Sequence, residues 1–390
     1  MYKPVNVIPY GHQDITDEDI EAVVKVLKSD FLTQGEMVPI FELALSDYTN
    51  AKYAVATNSG TSALHIACIA LGLEKGKSLW TTPISFVASA NCGLYCGANV
   101  DFVDIDHKTW NIDIDKLVTK LEVADRENKL PYILVVVHFA GLPCDMERIK
   151  LLSKKYKFLI VEDACHALGG SYKNNRIGSC SYSDITVFSF HPVKSITTGE
   201  GGMATTNDKS LADTMRLLRS HGITRDINKN NKQEQLWHYE QIYLGFNYRM
   251  TDIQAALGIT QLKKLNNFVI KRNQIADTYH SSLSHLNLQL PYRDNQYYSA
   301  QHLFIVRIQL NNINRKHYEV FNYLRDHNIG VNLHYIPIYK QPYYKSIGYR
   351  ELDFPESESY YSEAITLPMF PELKNEEIKY IVSTLEKALK

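Results

Sequence analysis

A lysine at position 194 lies in the run Phe188-Ser189-Phe190-His191-Pro192-Val193-Lys194, downstream of Val161-Glu162-Asp163. An aspartate at the end of an apolar strand, with a lysine in a later small polar loop, is the pair that pyridoxal phosphate (PLP) chemistry requires. The lysine forms a Schiff base with the cofactor aldehyde. The carboxylate keeps the pyridine nitrogen protonated, so the ring can take up the electron pair of a substrate carbanion. Burying the lysine beside a positive phosphate site would lower its pKa and ease that condensation. The glycines of Gly199-Glu200-Gly201-Gly202 permit tight turns next to a bulky cofactor.

Asn58-Ser59-Gly60-Thr61-Ser62 could hold the phosphate. It follows a short apolar run and opens a helix, whose free N–H groups and partial positive charge suit an anion. Ser59, Thr61 and Ser62 add hydroxyl donors, and Gly60 lets the backbone approach closely. The same segment also reads as a plain helix cap. Asp163 has two readings as well: a helix N-cap, or a partner for the pyridinium at the strand edge where open α/β sheets bind ligands. His166 stands either near the cofactor ring and its phenolic oxygen or as a satisfied structural histidine. Ser189 ends another apolar run and could add a hydroxyl to the phosphate site.

The elements that must position these residues follow from periodicity. Thr16-Asp17-Glu18-Asp19 reads as a helix start with acids in its first turn, and Ile20, Val23, Val24 and Leu27 follow on one helix face. Short apolar runs at 53–56, 79–82, 100–104, 132–138, 158–162, 185–190 and 203–205 alternate with helical patterns such as 63–71 and 145–157. Continuous apolar strands separated by helices predict an α/β fold, with a mostly parallel sheet covered on both faces. Residues 224–236 are polar and aperiodic, which predicts a mobile surface loop. From about Leu262 the pattern changes. A helix over 266–286, a strand over 302–309, a helix over 315–327, a strand over 331–335 and a closing helix over 375–390 predict a smaller α+β domain. The closing helix places Ile378, Ile381, Val382 and Leu385 on one face. The division expected is 1–261 for the large domain and 262–390 for the small one.

Composition narrows the class. The 390 residues are 45% hydrophobic and 22% charged, with 42 basic and 43 acidic side chains and a net charge of −1. That balance argues against nucleic acid or a membrane surface as a partner. No stretch nears the roughly 18 apolar residues a bilayer span needs, and the first residues lack the apolar core of a leader. Cys68, Cys92, Cys96, Cys144, Cys165 and Cys180 include no Cys-x-x-Cys pair. No metal site is expected, and reduced thiols point to the cytoplasm.

The motifs together carry a resemblance. Asn58 to Ser62, Thr81-Thr82-Pro83-Ile84-Ser85-Phe86-Val87-Ala88-Ser89-Ala90-Asn91, Glu162-Asp163-Ala164-Cys165-His166-Ala167-Leu168-Gly169, Phe188 to Lys194, Gly199 to Gly202 and Gly245-Phe246-Asn247-Tyr248-Arg249-Met250-Thr251 resemble the DegT/DnrJ/EryC1/StrS family of sugar aminotransferases, from Ile8 to the final helix. The resemblance implies the PLP-dependent transferase fold type I. It implies Lys194 as Schiff-base lysine and proton shuttle, and Asp163 on the pyridine nitrogen. Phe86 would stack on the ring with His166 close by, and Gly60, Thr61 and Ser189 would hold the phosphate. Asn247 would reach the phosphate in a neighbouring subunit, which implies a homodimer with a shared site. Tyr10, Asp30, Phe31, Leu32, Thr33, Asn332, Leu333, His334 and Tyr335 match segments around a nucleotide sugar. L-Glutamate is the implied donor.

Leu32-Thr33-Gln34-Gly35, Thr82 to Ala88 and Ser195-Ile196-Thr197-Thr198 point within the family to amination at C4 of a UDP-linked 4-keto-6-deoxy-N-acetyl-hexosamine. The alternative is another nucleotide-linked keto sugar of the perosamine, 4-amino-arabinose or 3-keto type. One branch of the family removes a hydroxyl and carries histidine in place of the Schiff-base lysine; Lys194 argues against it. A PLP-fold binding protein without turnover is a further reading, and the intact set of lysine, aspartate and phosphate loop argues against that. Gly60 stands where some relatives have alanine, which leaves a backbone contact intact.

Overall fold

The computed structural model describes residues 4–225, 237–349 and 354–390. Seven of the apolar runs pair into one sheet: β1 (Tyr53–Thr57), β2 (Ser78–Thr81), β3 (Asn99–Phe102), β4 (Ile133–Val137), β5 (Leu159–Asp163), β6 (Ile185–Ser189) and β7 (Gly202–Thr206). Their order is β1-β7-β6-β5-β4-β2-β3. β7 runs antiparallel to both its neighbours, and the remaining pairs are parallel. The sheet is therefore mostly parallel, as its unbroken apolar strands require.

Helices cover both faces: α1 (Asp17–Leu27), α2 (Met37–Thr49), α3 (Gly60–Ala70), α4 (Ala88–Tyr95), α5 (Ile114–Arg126), α6 (Met146–Tyr156), α7 (Lys209–Leu218) and α8 (Asp252–Leu283). Alternation along β4 and β5 sorts the core. Leu134, Val136 and Ile160 pack with α2, α5, α6 and the first half of α8. Ile133, Val135 and Val161 pack with α3, α4 and α7. Glu162 thus points to the first face and Asp163 to the second.

A smaller antiparallel sheet places β9 (Phe304–Ile308) between β8 (Leu288–Gln289) and β10 (Ala364–Leu367). It shares a core with Ile275, Tyr279 and Leu283 of α8 and with α9 (His317–Asp326). Two short helices, α10 (Pro342–Ser346) and α11 (Pro355–Glu363), precede the closing α12 (Asn375–Ala388). Ile378, Ile381 and Leu385 of α12 are buried there, and Val382 is partly buried. Ile8 also joins this core and bridges to Ile329. No helix among the described residues is long and apolar enough to cross a membrane.

Three expectations meet a different outcome. α1 forms where predicted, closed by a capping box between Thr16 and Asp19, but Ile20 and Leu27 are 53% and 54% exposed. Its buried residues are Asp19 and Val26, and Asp19 accepts from Thr260 at 2.6 Å and Gln261 at 3.0 Å and pairs with Lys264, all on α8. The predicted apolar face looks outward. α8 begins at Asp252, not 266, and runs unbroken through Gln261 and Leu262, where the sequence pattern changes. Residues 331–335 make one bridge, Asn332 to Thr366, in place of a strand, and lie along a cavity wall. In the polar loop, Thr224 pairs with Glu240, and residues 226–236 lie outside the described residues.

Candidate active site

Asp163 is the last residue of β5, buried at the carboxyl edge of the sheet. No helix follows it, so it caps nothing. Its Oδ1 accepts from the Cys165 N–H at 3.2 Å and its Oδ2 from the Ser89 hydroxyl at 2.6 Å. Ser85 Oγ lies 2.6 Å from Ser89 Oγ.

Lys194 sits in the turn after β6, its N–H donating to His191 O at 2.9 Å. Burial pushes its amine below the ordinary lysine pKa, against the opposing pull of Cys165 and Asp163.

The segment from Asn58 to Ser62 is both a cap and an open helix end. Ser59 caps α3 by accepting from the Ser62 N–H at 3.1 Å, and the Ser62 hydroxyl donates to Asn58 Oδ1 at 2.7 Å. The N–H groups of Gly60 and Thr61 have no partner among the described residues. The turn is also tightly seated. A Cβ on Gly60 would stand 2.9 Å from Ser189 Cβ, and one on Gly202 would stand 2.4 Å from the Ser59 carbonyl. Free N–H groups at a helix N-terminus, backbone held close, and a lysine and a carboxylate facing the same space fit PLP.

That space is a cavity of about 840 Å³. Its walls bring together Tyr10, Gly60, Thr61, Phe86, Asp163, His166, Ser189, Lys194, Asn332, Leu333, His334 and Tyr335. Five of the candidate residues do not line it. Asp30, Phe31, Leu32 and Thr33 follow α1 on the outside, where the Leu32 carbonyl accepts from Asp252 N and Thr33 bridges to Thr251. Phe31 is 62% exposed. Asn247 lies exposed beside Ser220, its carbonyl accepting from the Asn58 amide at 3.4 Å.

Besides His191, three imidazoles share the cavity. His166 Nε2 is 3.2 Å from the Tyr335 hydroxyl, and the His302 ring centroid is 4.4 Å from that of His166. Burial, with Lys194 and His334 adding to it, pushes His166 well below the usual histidine range. Burial and His166 do the same for His302. His334, which meets Thr366 Oγ1 at 2.9 Å, is pushed down to about 3 by burial and Lys194. These rings are therefore neutral hydrogen-bonding groups at neutral pH. Among the described residues, Lys194 is the only lysine or arginine in the wall.

Behind Asp163, on the opposite face of β5, Glu162 anchors a buried polar cluster. His138 Nδ1 accepts from the Cys144 N–H at 3.1 Å, so the ring proton is on Nε2, which donates to Glu162 Oε2 at 2.6 Å. Glu162 Oε1 accepts from the hydroxyls of Ser183 and, at 3.0 Å, Thr186. Burial alone would raise this carboxyl, but His138, Ser183 and Thr186 hold it below the usual range. Sequence reasoning passed over Ser85, Ser89, His138 and His302. Ser89 and Asp163 are 74 residues apart, and nothing local signals the contact.

The sequence profile of the DegT/DnrJ/EryC1/StrS aminotransferase family matches residues 13–386. A UDP-4-amino-4,6-dideoxy-N-acetyl-beta-L-altrosamine transaminase of Campylobacter jejuni subsp. jejuni serotype O:23/36 (strain 81-176) is 38% identical over 381 residues, 97% of this chain and 96% of that protein. Among solved structures, Helicobacter pylori PseC, an aminotransferase involved in the biosynthesis of pseudoaminic acid, superposes with a TM-score of 0.90 at 31% identity, covering 98% of this chain and 99% of that one. The PLP-form of a putative sugar aminotransferase from Streptococcus pneumoniae gives a TM-score of 0.87 at 29% identity, covering 98% and 100%.

Proposed function

We propose that this chain, which belongs to the DegT/DnrJ/EryC1/StrS aminotransferase family, moves an amino group from L-glutamate to C4 of a UDP-linked 4-keto-6-deoxy-N-acetyl-hexosamine. The product would be UDP-4-amino-4,6-dideoxy-N-acetyl-β-L-altrosamine, a pseudaminic acid precursor. The observation that carries the reading is that Lys194 and Asp163 face one cavity together with the open N-terminus of α3. The choice of sugar rests on the names of the Campylobacter and Helicobacter relatives.

PLP, when bound, supplies a carrier for the amino group and a sink for the electrons released at the substrate carbon. Gly60, Thr61 and Ser189 would take its phosphate, Asp163 its pyridine nitrogen, and Phe86 and His166 the ring and phenolic oxygen. Lys194, which faces the same cavity as Asp163, would take a proton from the donor Cα and return one at the sugar C4 through its Nζ. The neutral imidazoles of His166, His302 and His334 offer hydrogen bonds without adding charge. Tyr10, Asn332, Leu333 and Tyr335 form the wall against which the sugar nucleotide would lie.

Such a nucleotide carries phosphates, and among the described residues the cavity wall offers them no lysine or arginine besides Lys194. We place Asn247, Asp30, Phe31, Leu32 and Thr33, none of which lines the cavity of its own chain, at the site of a second copy in a homodimer. The outward apolar residues of α1 and α2 (Ile20, Val24, Leu27, Ile40 and Leu43) give that copy a surface to cover. The six cysteines are free, which suits a cytoplasmic enzyme.

The test is incubation of the protein with PLP, L-glutamate and the UDP-linked 4-keto sugar, with the product read by mass spectrometry and NMR. Amination of that sugar at C4 is expected. Amination of other keto sugars alone would replace the substrate, and no transfer to any keto sugar would overturn the reading.

A further inference from the structure

Ser85 and Ser89 have no part in the reading above, yet they form a chain of hydroxyls that ends on Asp163. Both are buried. An ionised carboxylate only accepts hydrogen bonds, so the Ser89 proton is committed to Asp163 Oδ2, 2.6 Å away. The Ser89 oxygen must then accept from Ser85, also at 2.6 Å. The direction of the chain is fixed: Ser85 donates to Ser89, and Ser89 donates to Asp163. The main chain around Ser89 is tied as well, its N–H donating to Phe86 O at 3.2 Å and its carbonyl accepting from Cys92 Sγ at 3.3 Å. Ser85 lines the cavity, and since its proton goes to Ser89 it meets a ligand as an acceptor.

We infer that Ser89, supported by Ser85, is a positioning residue that holds the Asp163 carboxylate in place against the cofactor's pyridine nitrogen. The inference rests on the PLP reading. A donated hydrogen bond favours the charged form of a carboxylate, and bonds in series reinforce one another. Without the Ser89 bond the carboxylate is less firmly placed, and its hold on the ring-nitrogen proton would weaken. The ring then withdraws electrons less. The lysine nitrogen joined to the cofactor also becomes more basic, because the positive charge on the ring nitrogen no longer opposes its protonation. The other titratable groups that face Asp163 are Lys194, Cys165 and Tyr335, and the test leaves them unchanged.

The experiment compares wild type with Ser89→Ala, Ser89→Thr and Ser85→Ala. PLP is titrated into cofactor-free protein, and the visible absorbance of the loaded protein is followed against pH. Ser89→Ala should bind PLP about tenfold more weakly, the effect of one hydrogen bond to a charged group. Its absorbance midpoint should move to higher pH. Its half-reaction with L-glutamate should slow about tenfold, with KM for glutamate changed less than about twofold. Ser89→Thr keeps the hydroxyl and should restore all three readouts. Ser85→Ala should shift them in the same direction by less, and it carries the test if Ser89→Ala does not fold. If wild type binds PLP while Ser89→Ala matches it in affinity and absorbance midpoint, the inference alone is overturned. A wild type that takes up no PLP sinks both this inference and the reading beneath it.

Discussion

Replacing Glu162 with glutamine keeps the shape of the side chain and removes its charge, and the surrounding donors decide the cost. The Cys144 N–H fixes His138 as the tautomer protonated at Nε2, and that N–H points at Glu162. Ser183 and Thr186 donate to the other carboxylate oxygen. A glutamine oxygen can keep the two hydroxyls. Its amide then faces His138 donor to donor, and His138 cannot switch tautomer without losing Cys144. Two buried donors go unmet, at about 1–3 kcal/mol each, so Glu162→Gln should lose roughly 2–6 kcal/mol. Glu162→Ala strands all three donors and opens a void, and should lose at least as much.

The pH dependence has a definite sign. The carboxyl of Glu162 is held below the usual range when folded. Its stabilisation is therefore complete above the unfolded glutamate pKa of about 4.3, and it fades as pH falls through the lower folded value. The gap between wild type and Glu162→Gln should be level from about pH 6 to 8 and should close in acid. Urea unfolding followed by circular dichroism at several pH values measures it. A Glu162→Gln protein within about 0.5 kcal/mol of wild type at neutral pH, or a gap that widens in acid, would refute the argument.

Lys194→Ala should lose the visible band of bound PLP and at least about a thousandfold in turnover, since a positioned base alone contributes that order; normal turnover without added amine would remove Lys194 from its role. Asp163→Asn should still bind PLP yet fall roughly a hundredfold in rate, and near-normal rates would undo its pairing with the ring nitrogen. Ile20, Val24, Leu27, Ile40 and Leu43 are 37–62% exposed, and covering that surface at about 1 kcal/mol per side chain offers a dimer roughly 5 kcal/mol. Leu43→Glu should shift sedimentation toward monomer and lower activity with it; a fully active monomer would contradict the shared site.

The strands of the large sheet were legible because each is a bounded apolar run, with no need of polar–apolar alternation to find them; burial on both faces makes every residue of Ile133–Val137 apolar. α1 was legible as a helix but not in its orientation, because Ile20, Val24 and Leu27 face away from its own chain while Asp19 and Val26 are the buried residues, with Asp19 bonded to α8. The first half of α8 escaped notice because Ala255, Ala256 and Gly258 carry little periodic signal. β10 escaped because Ala364 follows α11 with no turn residue between them. In the site, Lys194, Asp163 and the turn at Gly60 stand in local motifs, and the fold brings them to one cavity. Ser89, His138 and His302 act through contacts made only in three dimensions.

α8 bears on the mechanics of the molecule. Its 32 residues form one rod, about 48 Å long at the usual helical rise. The rod contains no proline, and its one glycine, Gly258, is wedged where a Cβ would stand 2.6 Å from the Phe41 ring. One half is bolted to the large sheet and the other to the small one. A stiff beam of this kind resists swinging one sheet against the other. Opening and closing of the cavity therefore falls to its short segments, such as the turn bearing Phe86 and the stretch from Asn332 to Tyr335, with the two sheets moving as a single frame.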